Sequence, residues 1–353
     1  MTLFDFDDIL IEPTILSDIR TRSVINAREE SGYLPLFTAP MDTVICDDNF
    51  FHFMNNGIMP VTPRIQNPKD TYYSNEHFLS YSMTDFERLF IENTPTIGDS
   101  PLLALIDVAN GHMIDLHRLS KVAKLKYGSQ LKLMVGNVAN PDTFTEYCRI
   151  GVDYVRIGIG NGGGCLTTVQ TGVGYPMASL IRECFIRRDK MTPTEQQTKI
   201  VADGGFKKYS DIIKALALGA DYVMLGSILN KCLESCGDTT IEDDSRLIPE
   251  YIPIDQYSKE ALEKFNNGSN LYKVFRGMST KEVQKSWGKS ELTTSEGVIR
   301  QQKVEYTIKG WVHNFESYLK SAMSYTGKKN LPDFIGKVRF NSISMNSFKR
   351  FDK

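Results

Sequence analysis

Residues 160–176 read GNGGGCLTTVQTGVGYP, which sets one cysteine, Cys165, between a glycine-saturated turn and two threonines. A thiol inside an apolar strand is inert, whereas one in a polar, mobile turn can reach the thiolate state and attack an electrophilic carbon. Thr167, two residues on, can either relay a proton or satisfy local backbone. Two further glycine turns follow apolar runs: KIVADGG ends in Asp203, Gly204 and Gly205, and YVMLGS ends in Gly226 and Ser227. Glycine lets backbone N–H groups approach a phosphate closely, and a carboxylate such as Asp203 can accept two hydrogen bonds from a ribose diol. The plainer alternative is a tight strand-to-helix turn with Asp203 as its cap; two such turns on adjacent strands favour a phosphorylated ligand. Glu296, in TTSEGV, is the remaining candidate acid or base, against the ordinary alternative of a solvated turn glutamate. The five histidines are scattered without an evident partner, which disfavours a Cys-His hydrolase.

Something must bring these turns to one place. Eight short runs, PLFTAPM, IMPVT, HFLSYSM, LLALIDVA, LKLMVGNV, YVRIGIG, KIVADGG and YVMLGS, read as strands, and intervening segments such as PDTFTEYCRIGVD and YSDIIKALALGAD carry helical spacing that stops at a glycine. This βα alternation predicts an α/β fold, a closed (β/α)8 TIM barrel, in which residues just past the strand C-termini form the site. Beyond the eighth run the character changes. An acidic, loop-like insertion covers about 237–270, a flap about 280–310 contains two extended runs around a turn (TTSEGVIRQQKVEYTIKG), and WVHNFESYLKSAMSYTG reads as a final helix. The expectation is one catalytic domain over 1–353.

The 353 residues hold 41 basic and 43 acidic side chains, a net charge of −2, so no field recruits a nucleic acid polymer or an anionic membrane. The apolar runs stop short of the roughly 20 residues that a membrane span requires. The start, MTLFDFDDILIEP, has acids where a secretory leader has bases, so a cytoplasmic protein is expected. The six cysteines show no zinc-binding spacing.

In order along almost the whole chain, FDFDDILIEP, APMDTV, DVANGH, VGNV, GIGNGGGC, TGVGYP, ADGG, VMLGS, FRGMS and SEG resemble the IMP dehydrogenase and GMP reductase family. No insertion is large enough for the CBS pair of many dehydrogenases. DVANGH and TGVGYP resemble the reductase branch, as does Arg300 being followed by Gln301 where the dehydrogenase flap has an Arg-Tyr pair; APMDTV and VMLGS resemble the dehydrogenase branch. The resemblance implies a homotetrameric GMP reductase that uses NADPH to convert GMP to IMP. Cys165 would add to purine C2, with Thr167 and Glu296 relaying the proton to departing ammonia. Gly204, Gly205, Gly226 and Ser227 would hold the phosphate and Asp203 the ribose. Gly277, Met278, Ser279, Thr293, Ser295 and Gly297 would meet the base. Thr21, Arg22, Arg64, Asp107, Val108, Ala109, Ile159, Gly160, Met278 and the stretch Ser321, Ala322, Met323 and Ser324 would face the cofactor. Backbone carbonyls of Gly160, Gly162 and Cys165 would hold a potassium ion.

The sequence departs from the family pattern at the loop itself. Asn161, Gly162, Gly163 and Gly164 stand where the family has proline, glycine, serine and a bulkier residue, so one phosphate hydroxyl is missing, and Thr293 stands where reductases place an arginine. These departures imply a variant guanylate, deoxy or modified, or weaker binding of GMP. A dehydrogenase without CBS domains, and a purine-nucleotide-binding barrel without turnover, are the alternatives.

Overall fold

The computed structural model describes residues 2–64, 73–243, 250–278, 280–286 and 297–351, with only the backbone of residues 282, 284 and 286. Eight strands form one parallel sheet: β1 (Leu36–Thr38), β2 (Val61–Thr62), β3 (Phe78–Tyr81), β4 (Leu102–Asp107), β5 (Leu131–Val138), β6 (Tyr154–Ile157), β7 (Lys199–Asp203) and β8 (Tyr222–Leu225). Each pairs with its sequence neighbour from β2 to β8, and β1 pairs with β8. The last seam, β1 to β2, is closed by a parallel bridge between Phe37 and Met59. The (β/α)8 barrel read from the sequence is therefore the fold, including the two shortest runs.

Alternation along the strands sorts side chains between the barrel interior and the surrounding helices. Phe37, Phe78, Tyr154 and Tyr222 point inward near the strand starts, where Phe37 meets Phe78 and Tyr154 edge-on at centroid distances of 5.7 and 5.9 Å. Above them lie Leu105, Met134, Val201 and Met224, all buried. The same inward rows end in Asp107, Arg156 and Asp203 at the C-terminal ends, so each strand carries its side chains from an apolar floor to a polar mouth.

The helices follow the expected local chemistry. Pro141–Arg149 has proline in its first turn, and the Asn140 side chain accepts from the Asp142 N–H as N-cap. Tyr209–Leu218 is buried along its whole length from Asp211 onward because Ile308–Tyr325 packs over it through Trp311 and Tyr209. Ile308–Tyr325 is not the final helix that the sequence predicts, since Leu331–Phe334 and Met345–Phe351 follow it. No described helix is long and apolar enough to cross a membrane.

A further expectation about the region after β8 is corrected. The acidic insertion is not loop-like. Thr239–Asp243 and Glu250–Pro253 pair as antiparallel strands, and Lys259–Asn266 is a helix capped by Ser258. Ile241 and Phe265 pack against Leu233, Ala261, Leu271 and Val304, a small core that the surrounding acids hide in the sequence. The flap's two expected extended runs around a turn begin at 293–296, which lie outside the described residues. Its one described strand, Ile299–Lys303, pairs with Leu271–Arg276, which also pairs with Thr239–Asp243, giving a four-stranded antiparallel sheet. At the other end of the chain, Ile9–Ile11 pairs with Phe340–Ser342.

Candidate active site

The mouth of the barrel encloses a cavity of about 510 Å3. Its walls are the segments that follow β1, β4, β6, β7 and β8, together with Phe275, Gly277 and Met278 from the antiparallel sheet. The loop after β6 carries the thiol. Cys165 is half-buried, and its S–H donates to Thr167 Oγ1 at 3.2 Å. Its N–H closes a turn on the Gly162 carbonyl at 3.0 Å, and its backbone pairs with Gly297 in an antiparallel bridge. Gly164 accepts from Val298 N at 3.1 Å, and Gly277 N donates to the Val298 carbonyl at 3.0 Å, so the cysteine loop is stitched to the sheet above it. A side chain at Gly164 would place its Cβ 2.9 Å from the Phe275 ring, which explains why that position is bare.

Charge is concentrated one layer below the thiol. Arg156, on β6, is buried, and it donates to Asp107 Oδ1 at 2.7 Å and to Asp203 Oδ2 at 2.8 Å. Burial pulls the Arg156 pKa down, but the two carboxylates more than offset this and hold it above its ordinary value. Asn137 Nδ2 donates to the same Asp203 oxygen at 2.7 Å and to the Gly158 carbonyl at 2.9 Å. Asp203 is thus oriented through one oxygen, while Oδ1 has no hydrogen-bond partner among the described residues. That free oxygen can accept from a ligand hydroxyl. Immediately beyond it Gly204 and Gly205 adopt φ of +93° and +90°, values that L side chains rarely adopt, so these positions call for glycine.

Most of the residues singled out in the sequence meet at this cavity. Cys165, Thr167, Asp203, Gly204, Gly205, Gly226 and Ser227 line it, as do Gly277 and Met278. So do Arg64, Asp107, Val108, Ala109, Ile159, Gly160 and Gly162. Arg64 is already engaged, donating to the Asp107 carbonyl and lying 3.4 Å from its carboxylate. Gly297 touches the cysteine loop without lining the cavity.

Thr21, Arg22 and the 321–324 stretch form a separate group. Arg22–Val24 packs on the helix Ile308–Tyr325, Ser17 donates to the Ser324 carbonyl at 3.0 Å, and Met323 is fully buried in the core. None of them lines the cavity. Ser279, Thr293, Ser295 and Glu296 lie outside the described residues. Asn137 and Arg156 are the site residues that sequence reasoning missed. An arginine flanked by valine and isoleucine in a barrel strand was the available signal, because a buried guanidinium requires carboxylate partners.

An eight-stranded parallel barrel with a thiol and two glycine turns at its C-terminal mouth defines the class of site. The chain belongs to the IMP dehydrogenase / GMP reductase family, whose domain model matches residues 102–351. It is 26% identical to human GMP reductase 2, over 96% of this chain and 94% of the relative. It is 27% identical to the GMP reductase of Vibrio vulnificus, over 77% of this chain and 80% of the relative. It is 31% identical to the inosine-5'-monophosphate dehydrogenase of Chlorobaculum parvum over 68% of this chain, and there it spans 44% of the relative's length.

Proposed function

We propose that this protein is an NADPH-dependent GMP reductase that converts GMP to IMP and ammonia. The observation that carries the reading is the Cys165 thiol, hydrogen-bonded to Thr167 at 3.2 Å, in a cavity that also presents the free oxygen of Asp203 and the glycine turns at Gly204–Gly205 and Gly226–Ser227. Likeness over nearly full length to a protein named GMP reductase supports the same choice.

In this mechanism the ribose lies on Asp203 and the phosphate rests on the backbone of Gly204, Gly205 and Gly226 with the Ser227 hydroxyl. Gly277, Met278, Ser279 and the segment from Thr293 through Ser295 to Gly297 border the base. Cys165 as thiolate forms a bond to purine C2; the C2–N bond then breaks, and Thr167 and Glu296 pass a proton to the departing ammonia. Bound reduced nicotinamide supplies a hydride at C2. Cys165 leaves as thiolate, which releases IMP. Splitting one displacement into two steps is the gain from covalent catalysis. Asp107, Val108, Ala109, Ile159 and Gly160 border the space for the nicotinamide.

Thr21, Arg22 and Ser321 to Ser324 lie outside this cavity, and a homotetramer would reconcile them with a cofactor role by lending them to a neighbour's site. Potassium on the carbonyls of Gly160, Gly162 and Cys165 belongs to the same reading. Of these, the Gly162 carbonyl already accepts the Cys165 N–H. The test is incubation with GMP and NADPH, following nicotinamide absorbance and ammonia together. Equimolar loss of NADPH and release of ammonia is expected. Reduction of NAD by IMP without consumption of NADPH by GMP would instead establish the dehydrogenase reaction.

The bare loop supports a second reading, a preference for a modified or deoxy guanylate, because Gly163 offers no hydroxyl to the phosphate. Comparing GMP with dGMP as substrates separates the two, and a strong preference for GMP removes the second.

A further inference from the structure

A side chain at Gly163 would project its Cβ to within 3.4 Å of Arg300 Nη2 and 3.5 Å of Ser227 Oγ. A guanidinium and a hydroxyl therefore converge on the space over a glycine that contributes only backbone, at the rim of the cavity lined by Gly163 and Ser227. Arg300 belongs to the antiparallel sheet rather than to the barrel. Its register partner is Phe275, and the guanidinium stacks over the Phe275 ring at 5.0 Å from the centroid. That stacking fixes the plane of the group and leaves its N–H edge free for a ligand.

The neighbours of Arg300 explain its position but do not neutralise it. Arg300 Nη2 lies 3.4 Å from Gln302 Oε1, a long contact, and no carboxylate pairs with it among the described residues. Gln302 Nε2 in turn donates to Asn230 Oδ1 at 2.8 Å, and the fully buried Asn230 donates to the carbonyls of Thr43 and Val274 at 2.8 and 3.0 Å. The chain of contacts from Asn230 to Gln302 ties Arg300 to the same short helix, Ser227–Asn230, whose first residue supplies the hydroxyl. An uncompensated arginine held beside a serine hydroxyl and glycine backbone matches a phosphate monoester, which takes N–H and O–H donors from several sides.

We propose that Arg300 is a phosphate-binding residue of this site: with Ser227 it clamps the phosphate monoester of the bound nucleotide above Gly163, supplying from the antiparallel sheet a donor that the cysteine loop lacks. This rests on the reading that the ligand is a nucleoside monophosphate. Arg300 lies three residues after Gly297, whose backbone pairs with Cys165, so occupation by phosphate also fastens the sheet over the thiol.

Equilibrium binding of GMP, guanosine and inorganic phosphate to the full chain, without NADPH, tests the proposal independently of turnover. Arg300→Gln is expected to weaken GMP by about 10- to 100-fold and to weaken inorganic phosphate, while guanosine binding stays within about twofold of wild type. Arg300→Lys, which keeps the charge and loses the fork, should fall between the two. Equal loss for GMP and guanosine, or a GMP loss below about twofold, would overturn the role. A wild-type chain that binds GMP in this Arg300-dependent way but does not consume NADPH would remove the reductase reading and leave the phosphate clamp standing.

Discussion

The two ends of the barrel are built from the same strands and do opposite work. At the floor, Phe37, Phe78, Tyr154 and Tyr222 fill the interior with rings 4.8 to 5.9 Å apart. Two residues further along β6, Tyr154 gives way to Arg156, and the interior becomes a charged layer of one arginine between two aspartates. Beyond that layer the strands give way to glycine turns around Cys165. Large rings stabilise by area removed from water, whereas the mouth gives up area to hold a fixed charge, a free carboxylate oxygen and a reachable thiol. The floor can therefore be weakened without touching chemistry, and the mouth can lose its chemistry without losing the fold.

Substitutions at each level sharpen that contrast. The largest effect belongs to Cys165→Ala, for which turnover of GMP with NADPH should fall on the order of 10^4-fold or more while thermal unfolding stays at the wild-type midpoint. A variant that retains turnover contradicts the assignment of the nucleophile. Arg156→Met removes the buried guanidinium shared by two carboxylates, leaving Asp203 without a cation and Asp107 with Arg64 alone, which should cost about 3–5 kcal/mol in denaturant unfolding and also weaken nucleotide binding through Asp203. Phe37→Ala should cost a similar 3–5 kcal/mol by opening a cavity in the floor, but leave the KM for nucleotide unchanged in the protein that remains folded. Should Phe37→Ala raise KM as much as Arg156→Met does, the separation between the two ends fails.

The smallest effect lies in the sheet over the mouth. Lys273 is fully buried and donates to the Ser235 carbonyl at 2.6 Å and to Thr239 Oγ1 at 2.7 Å. Burial pushes its pKa down from 10.5 to about 8. Between these values the unfolded chain holds a proton that the folded chain has released, so this group adds stability as pH rises through that window. The stability difference between wild type and Lys273→Met, followed by urea unfolding, should shift in favour of wild type by about 1 kcal/mol per pH unit from pH 8 upward. A flat difference would mean that the ammonium stays charged.

The barrel was legible because its strands are short apolar runs ended by glycine or by a residue of unusual chemistry, and Cys165, Asp203 and the two glycine turns stood at those ends. Arg156 was not, because nothing near it in the sequence reveals that Asp107 and Asp203, 49 and 47 positions away, converge on it. The hairpin at Thr239–Asp243 and Glu250–Pro253 was hidden by its acids, of which Glu242 accepts from Asn270 and Tyr272 while Ile241 packs on the small core. Arg300 was read only as the first half of an absent Arg-Tyr pair, since its stacking on Phe275 is a cross-strand contact that becomes visible with the sheet register.

The covalent bond proposed between Cys165 and purine C2 is the central claim, and intact-mass measurement of the chain quenched rapidly after mixing with GMP tests it most directly. The account predicts a mass gain equal to the nucleotide less ammonia, carried by the peptide containing Cys165 and absent in Cys165→Ala. Ammonia released at the wild-type rate by Cys165→Ala, with no adduct on either protein, would contradict it.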